Sequence, residues 1–485
     1  MRIKKSVKLN AILNVIKQMC SVLFPLITIP YVTRVLQADN LGKVNFSTSV
    51  ISYFLLIAQM GITNYAIREG AKVRYDKEKL NKLSNEVYSI NIITTLLSYI
   101  LLFLCICLFR PLQNYKLLLI IQSATIICTT IGADWVNNIF EDFWSITIRT
   151  IFVQILSLIL MFIFVHDSSD YIMYAITVVL AQCGALIINS FTIRKYIRLH
   201  ICFSRDMLRH VKPILYLFFN NVAMTIYINS DTTMLGIIIG DSAVAIYYIA
   251  TKIYGVVKNV INAIIVVALP KLSAYVETDK QSYERLCGQI FSCIITILLP
   301  AVMGLFCCSS LIVRIIAGKE FVAGAMPLQI LSIALLFAVI GGFNTLCIVI
   351  PNRKEKILLL ATSLAAIVNI ALNFILIKLW SYNGAAITTV IAEFIVCVIT
   401  FIGMKQFINF VLSKRTIISV LLGCIYIAIA CILSDKILNN DFMSLFFSVV
   451  LSVLGYVIIL NILKNPLIMS IRTKFKEYFA KLRSR

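Results

Sequence analysis

Apolar residues in this chain come in runs of about twenty, separated by short polar segments. A helix of about 20 residues crosses the hydrocarbon core of a bilayer. The pattern predicts spans near 10–33, 44–66, 84–109, 115–133, 144–165, 171–193, 213–239, 244–270, 287–311, 325–350, 357–379, 384–404, 416–434 and 442–463. The run at 115–133 is short, and the run at 213–239 carries Asp231. No polar stretch exceeds about twenty residues, which leaves no room for a sizeable soluble domain. The expected fold is an all-α polytopic membrane protein of about fourteen transmembrane helices.

Composition sharpens the choice of solvent. Hydrophobic residues make up 60% of the chain, charged residues only 14%, and the mean hydropathy is +0.94. Soluble domains carry about a quarter charged residues, so most of this apolar surface belongs in lipid. The net charge of +22 would point to nucleic acid in a soluble protein. Here the basic residues fall in loops between apolar runs, so they read as orientation signals and no nucleic-acid partner is expected. With both termini cytoplasmic, 32 of the 44 Lys and Arg residues lie in inner segments and 8 in outer loops or at the span edges beside them (Lys116 and Lys378), the other four being deeper within spans. One inner loop dissents: "ADWVNNIFEDF" holds Asp134, Glu141 and Asp142 and no base. The N-terminal "MRIKKSVKLNAILNVIKQMC" has a basic start but no small-residue cleavage site, and its apolar part runs on to Tyr31. It reads as a retained first span.

Three basic stretches, "REGAKVRYDKEKLNK" (68–82), "RKYIRLHICFSRDMLRHVK" (194–212) and the tail "KNPLIMSIRTKFKEYFAKLRSR", read as amphipathic segments on the inner leaflet or as plain topology determinants. The second falls midway along the chain, as a linker between two halves. The fourteen cysteines are scattered through apolar runs with no CxxC framework, as buried small hydrophobes are. His166, His200 and His210 lie at loops or span edges. No metal, nucleophile or cofactor constellation appears, and no Walker motif provides for direct ATP use.

A weak repeat relates the halves. "ADNLGKVNF" (38–46) and "GDSAVAIYY" (240–248) place Asp39 and Asp241 five residues before Val44 and Ile246, at an offset of 202. This fits two six-helix lobes related by pseudo-two-fold symmetry, at 1–193 and 213–404, joined by the linker 194–212. Two additional helices (405–463) and a basic tail (464–485) follow.

Polar stripes run along the first two helices of each half. In span one, Asn10, Asn14, Lys17, Gln18, Ser21 and Thr28 share roughly 100° of arc at 100° per residue. Asn45, Thr48, Ser49, Ser52 and Gln59 do the same in span two, and Lys252, Lys258, Asn259 and Asn262 fall within about 120° in span eight. Span seven adds Asn221, Thr225 and Thr232, with Asp231 at their flank. Ser, Thr and single Asn residues glue membrane helices together. Lysines are costlier, about 2.5–3.5 kcal/mol at the bilayer centre, and face water or a partner. Lys17 is close enough to an end to snorkel, whereas Lys258 lies nearest the middle of its span. These lysines are tolerable if they line an aqueous cavity and useful if the cargo is anionic. Asp231 is the expected counter-charge, and a plain Lys–Asp structural pair is the rival reading. Glu393 in span twelve has no basic neighbour in its own helix, so Asp231 and Glu393 are candidates for ion coupling.

The run "FPLITIPYVTRVLQADNLGKVNFSTSVISYFLLIAQMGITNYAIREGAKVRYD" (24–76) resembles the N-terminal region of bacterial polysaccharide flippases, the O-antigen and capsule repeat-unit translocases of the multidrug/oligosaccharidyl-lipid/polysaccharide (MOP) exporter superfamily. Further pieces are "DWVNNIFEDF" (134–143), "NSDTTMLG" (229–236), "YYIATKI" (247–253) and "PLQILS" (327–332), so the resemblance covers essentially the whole chain in order. One departure is Gln37, where a glycine often follows the leucine; this loosens the turn. The resemblance implies a cationic cavity between two lobes, matched here at Lys252 and Lys258, and alternating access. It also implies a cargo of undecaprenyl-pyrophosphate-linked oligosaccharide moved from the inner to the outer leaflet of the bacterial plasma membrane. The implied partners are that cargo, membrane lipids, a polysaccharide polymerase and a chain-length regulator. The rival within the superfamily is a multidrug exporter of organic cations, whose cavity should be acidic and aromatic. A membrane-embedded glycosyltransferase or polymerase would need a catalytic group on a long outer loop, and every predicted outer loop is short.

Overall fold

The computed structural model describes residues 7–405, 413–469 and 472, without the side chains of 7–19, 21–23, 220, 267, 270 and 277. The helices are α1 Val7–Gln59, α2 Ile62–Val73, α3 Lys77–Leu108, α4 Arg110–Gln113, α5 Lys116–Gly132, α6 Trp135–Ile139, α7 Phe143–Phe164, α8 Tyr171–Thr192, α9 Leu208–Ile238, α10 Asp241–Thr278, α11 Lys280–Ala317, α12 Ala325–Phe343, α13 Glu355–Met404, α14 Lys414–Ile437 and α15 Asp441–Ile462. Among the described residues there is no strand, as lipid requires of a chain that must satisfy its backbone within each segment.

Among the described residues, eleven helical segments are long and apolar enough to cross a membrane. Two of these contain a backbone break. Helix α1 turns at Gln37 (φ 62°, ψ 177°), and α13 turns at Trp380 and Ser381 (φ 50°, ψ −132°). Counting both sides of each break, and adding the shorter apolar helix Lys116–Gly132, gives a tally among the described residues that is compatible with about fourteen spans.

The helices are inverted relative to those of a soluble protein. In α3 the residues Ser84, Asn85, Ser89, Asn91, Thr94, Thr95 and Ser98 are buried, while Leu96, Ile100, Phe103 and Leu104 are exposed. The buried side bonds to the backbone of α1: Asn91 Nδ2 donates to Ala58 O at 2.9 Å, Thr94 Oγ1 to the same oxygen at 2.6 Å, and Ser98 Oγ to Phe54 O at 2.6 Å. With no hydrophobic drive between helices in lipid, such bonds are worth about 0.6 kcal/mol each. Helix α15 also buries Ser444, Ser448, Ser452 and Tyr456 one turn apart, and of these Tyr456 Oη donates to Thr296 O at 2.6 Å.

Two compact units divide the chain, residues 1–245 and 246–485. In the first, α1 packs against α3, α5, α7 and α9, and α8 against α5 and α7. Helix α9 joins this unit because Gly236 receives the Phe46 ring, and Thr233 Oγ1 lies 3.0 Å from Ser49 Oγ. Grouping by packing thus differs from grouping by repeat, which starts the second lobe at residue 213. In the second unit, α11 packs on α12, α14 and α15, and α12 on α13.

The linker 194–212 is docked to protein. Residues 197–204 are not helical; His200 N donates to Asn85 Oδ1 at 3.1 Å and Cys202 N to Ser89 Oγ at 2.8 Å, tying this stretch to α3. Buried Glu86 accepts from Arg209 at 3.0 Å and lies 2.7 Å from His210 Nε2. The acidic loop that breaks the orientation pattern is neutralised by cations from elsewhere: Asp134 pairs with Arg149, Glu141 with Arg74, and Asp142 with Lys195. Burial, and then the hydrogen-bonded Asp142, push the Tyr196 phenol above its ordinary range.

Candidate functional site

Helix α10 begins at Asp241 and carries its polar residues at helical spacing, so Lys252, Lys258 and Asn262 share one broad face. Each lysine lies over the ring one turn before it, Lys252 over Tyr248 at 5.0 Å and Lys258 over Tyr254 at 5.5 Å. An aromatic face attracts an ammonium by about 0.5–1 kcal/mol at exposed sites and more when dry. Lys258 Nζ is also 2.8 Å from Glu393 Oε1 on α13, and Tyr254 Oη donates to the same oxygen at 3.1 Å. Glu393 is 9% exposed and Lys258 28%. The acid without a basic neighbour in its own helix therefore finds one on another helix, which supplies Lys258 with a counter-charge other than Asp231. Lys252 makes no ion pair among the described residues. Asn262 Oδ1 is buried without a partner, whereas Asn259 is exposed.

In the first unit the predicted residues scatter. Asn45 Nδ2 donates to Leu41 O at 2.9 Å and Ser52 Oγ to Ser49 O at 2.6 Å, so both bond to their own helix. Asp231 is 5% exposed. The side chains of Asn14, Lys17 and Gln18 lie outside the described residues. Gln59 lines a polar cavity of about 370 Å³ together with Asn64, Asp134, Trp135 and Asn221. Behind it stands a buried network that periodicity did not reveal. Arg149 binds the Asp134 carboxylate, Arg149 Nη1 donates to Asn189 Oδ1 at 2.6 Å, and Asn189 Nδ2 donates to Gly132 O at 2.6 Å. The available signal was charge arithmetic: an arginine inside a span requires an acid, and the nearest is in the dissenting loop.

On the opposite, predicted outer face, the repeat-related Asp39 and Asp241 each hold a partner, Lys43 Nζ at 2.7 Å and Tyr115 Oη at 2.8 Å. Gly42 sits so close that a Cβ there would overlap the Asp241 carbonyl. Lys43, Tyr115 and Asp241 also line a smaller cavity of about 170 Å³.

Known proteins share both sequence and architecture with the chain. The family described as "Polysaccharide biosynthesis protein" matches residues 7–276. A "Putative O-antigen transporter" of Shigella dysenteriae is 26% identical over 399 residues, covering 80% of this chain and 98% of that protein. A "Capsular polysaccharide biosynthesis protein CapF" of Staphylococcus aureus is 22% identical, covering 79% and 94%. Among solved structures, "Lipid II flippase MurJ, inward closed conformation" superposes with a TM-score of 0.77 at 16% identity, covering 95% of this chain and 99% of that one. An inward-facing multidrug resistance MATE transporter of the MOP superfamily gives 0.53 at 14% identity, over 79% and 97%. The chain is thus an integral membrane protein with the MOP-superfamily fold, and it belongs to the polysaccharide biosynthesis protein family.

Proposed function

We propose that the chain is a flippase that moves an undecaprenyl-pyrophosphate-linked oligosaccharide from the inner to the outer leaflet of a bacterial plasma membrane, with both termini cytoplasmic. Relatives named for O-antigen transport and capsular polysaccharide biosynthesis support the cargo class, and the fold is that of a lipid II flippase. The observation that carries the reading is Lys252, an ammonium in a span with an aromatic partner but no acid among the described residues. Diphosphate and hydroxyl groups lose their hydration in hydrocarbon, and a wet, cationic path replaces it. Lys258 adds a second ammonium that Glu393 holds until an anion competes for it. The fold class supports alternating access as the mode of movement, and no covalent step is required of any residue. Asp231 and Glu393 serve as ion-coupling candidates, and a polysaccharide polymerase and a chain-length regulator would take the product further.

The rival, an organic-cation exporter, has support in the MATE-like fold. Cells lacking the chromosomal copy and carrying Lys252→Ala/Lys258→Ala test the choice. Loss of surface polysaccharide at normal protein level is expected. Full export by the double variant, or export lost only in Asp231→Asn, sinks the anion reading.

A further inference from the structure

The polar cavity of the first unit presents groups that the protein leaves unengaged. It holds about 370 Å³, at the small end of the roughly 300–1,000 Å³ of ligand pockets. Gly61, at the break between α1 and α2, lines it with φ 76°, and a Cβ there would press on Leu217. Gln59 and Asn64, on either side of that break, line the same space as Asp134, Trp135 and Asn138 of the α5–α6 corner and Asn221 of α9.

Trp135 is 3% exposed, and its Nε1–H is buried with no partner. Such a donor costs about 1–3 kcal/mol if left unbonded, so it calls for a ligand or an ordered water. The side-chain amides of Gln59, Asn64 and Asn221 make no hydrogen bond with any described residue. Asn138 spends its Nδ2 on Asp134 O at 3.0 Å. In the Asp134 carboxylate, Oδ1 takes Arg149 and Asn189, the latter at 3.0 Å. Its other oxygen has no bond among the described residues, and the side chain is 33% exposed.

Charge narrows the ligand. None of the lining residues is basic, and Arg149, 5% exposed, is turned to Asp134 inside the wall. A phosphate would meet a carboxylate and no cation. An organic cation would meet a carboxylate whose charge Arg149 already balances. What remains is a set of amides that both donate and accept, a carboxylate oxygen that accepts and an indole that donates. That set matches neutral hydroxyls, each of which donates once and accepts twice.

We infer that this cavity is a sugar subsite, which takes one neutral pyranose ring of the cargo while its diphosphate is held elsewhere. The source of the sugar rests on the flippase reading; the binding does not.

The test uses the full chain in lipid nanodiscs. The chain has three tryptophans, so Trp144→Phe/Trp380→Phe leaves Trp135 as the sole reporter. The probes are the methyl glycosides of glucose, galactose, mannose, rhamnose, N-acetylglucosamine and N-acetylgalactosamine, titrated into the millimolar range, with glycerol and inorganic phosphate as controls. At least one glycoside should shift Trp135 emission saturably. Asn64→Ala and Asn221→Ala should each weaken it by about fivefold to tenfold, and the controls should do nothing. No saturable shift from any of the six, an equal shift from phosphate, or a shift indifferent to both alanine changes would mean that the cavity holds water only. The two proposals fail separately. Loss of export in the lysine variants without glycoside binding keeps the flippase and removes the subsite. Glycoside binding with normal export by those variants does the reverse.

Discussion

Lys258 Nζ lies 2.8 Å from Glu393 Oε1, with Tyr254 Oη on the same oxygen. The lysine nearest the middle of its span is thus half of an ion pair, and its removal has two consequences. Lys258→Ala leaves a carboxylate only 9% exposed without its cation. Orphaning a buried charge costs roughly 3–5 kcal/mol, and the low end applies because Lys258 keeps partial exposure. The single variant should therefore lose thermal stability as well as export. Lys258→Met/Glu393→Gln removes both charges and should recover the melting temperature in detergent. If the ammonium holds cargo, export stays lost in the double variant. Export that returns together with stability would make the pair structural.

Gln37 occupies φ 62°, ψ 177° at the break in α1, a region that is essentially glycine's and costs other residues about 1–3 kcal/mol. The side chain is exposed, so little packing compensates. Gln37→Gly should raise stability by about 1 kcal/mol or more, less the entropy that glycine adds to the unfolded chain. Thermal unfolding in detergent measures this directly; a lower melting temperature would mean that the side chain contributes contacts outweighing the strain.

Arg149 is 5% exposed inside its span and pairs with Asp134. Asp134→Asn should cost about 3–5 kcal/mol, because it strands a guanidinium in a dry wall. Arg149→Met should cost less, since the partly exposed carboxylate can reach water. The double variant should lie closer to wild type than Asp134→Asn does, a coupling readable from a double-mutant cycle of melting temperatures. Additive losses would show that the two charges stand apart in the folded protein.

Much of this was legible because lipid imposes one rule per segment. The apolar runs became apolar helical segments, since a run of that length has no other way to satisfy its backbone. Glycine's usual place after Leu36 marked the α1 break even though Gln37 fills it. Partnerships across helices were not legible. Glu393 stands 135 residues from Lys258, and the Asp134–Arg149 pair joins a loop to a span, so no single wheel displays either. The amide cavity escaped for the same reason. Gln59 was visible as the end of a stripe, but Asn64, Trp135 and Asn138 belong to short elements with no stripe of their own. The linker 194–212 carries the charge of a membrane-surface segment, yet Asn85 and Ser89 of α3 take its backbone N–H groups, a competition that composition does not reveal.

That linker also gives a pH prediction. Lys82 Nζ is 2.5 Å from Asp206 Oδ2. The hydrogen bond to Lys82, then its charge, lowers the Asp206 carboxyl below its ordinary 3.8. The same contact raises Lys82 above its ordinary 10.5. A carboxyl lowered by folding stabilises above its ordinary value and loses that contribution as pH falls through the folded value. A raised lysine contributes below its ordinary value and loses it as pH rises through the folded one. The clasp is therefore complete between about pH 5 and 9, and weak, because both groups are exposed. Hydrogen exchange over residues 197–206 should run modestly faster in Asp206→Asn than in wild type at pH 7. The difference should close as the pH falls through the lowered folded value of the wild-type carboxyl, where that side chain takes up its proton. A gap unchanged down to that pH would mean that Asp206 holds the linker through its shape rather than its charge.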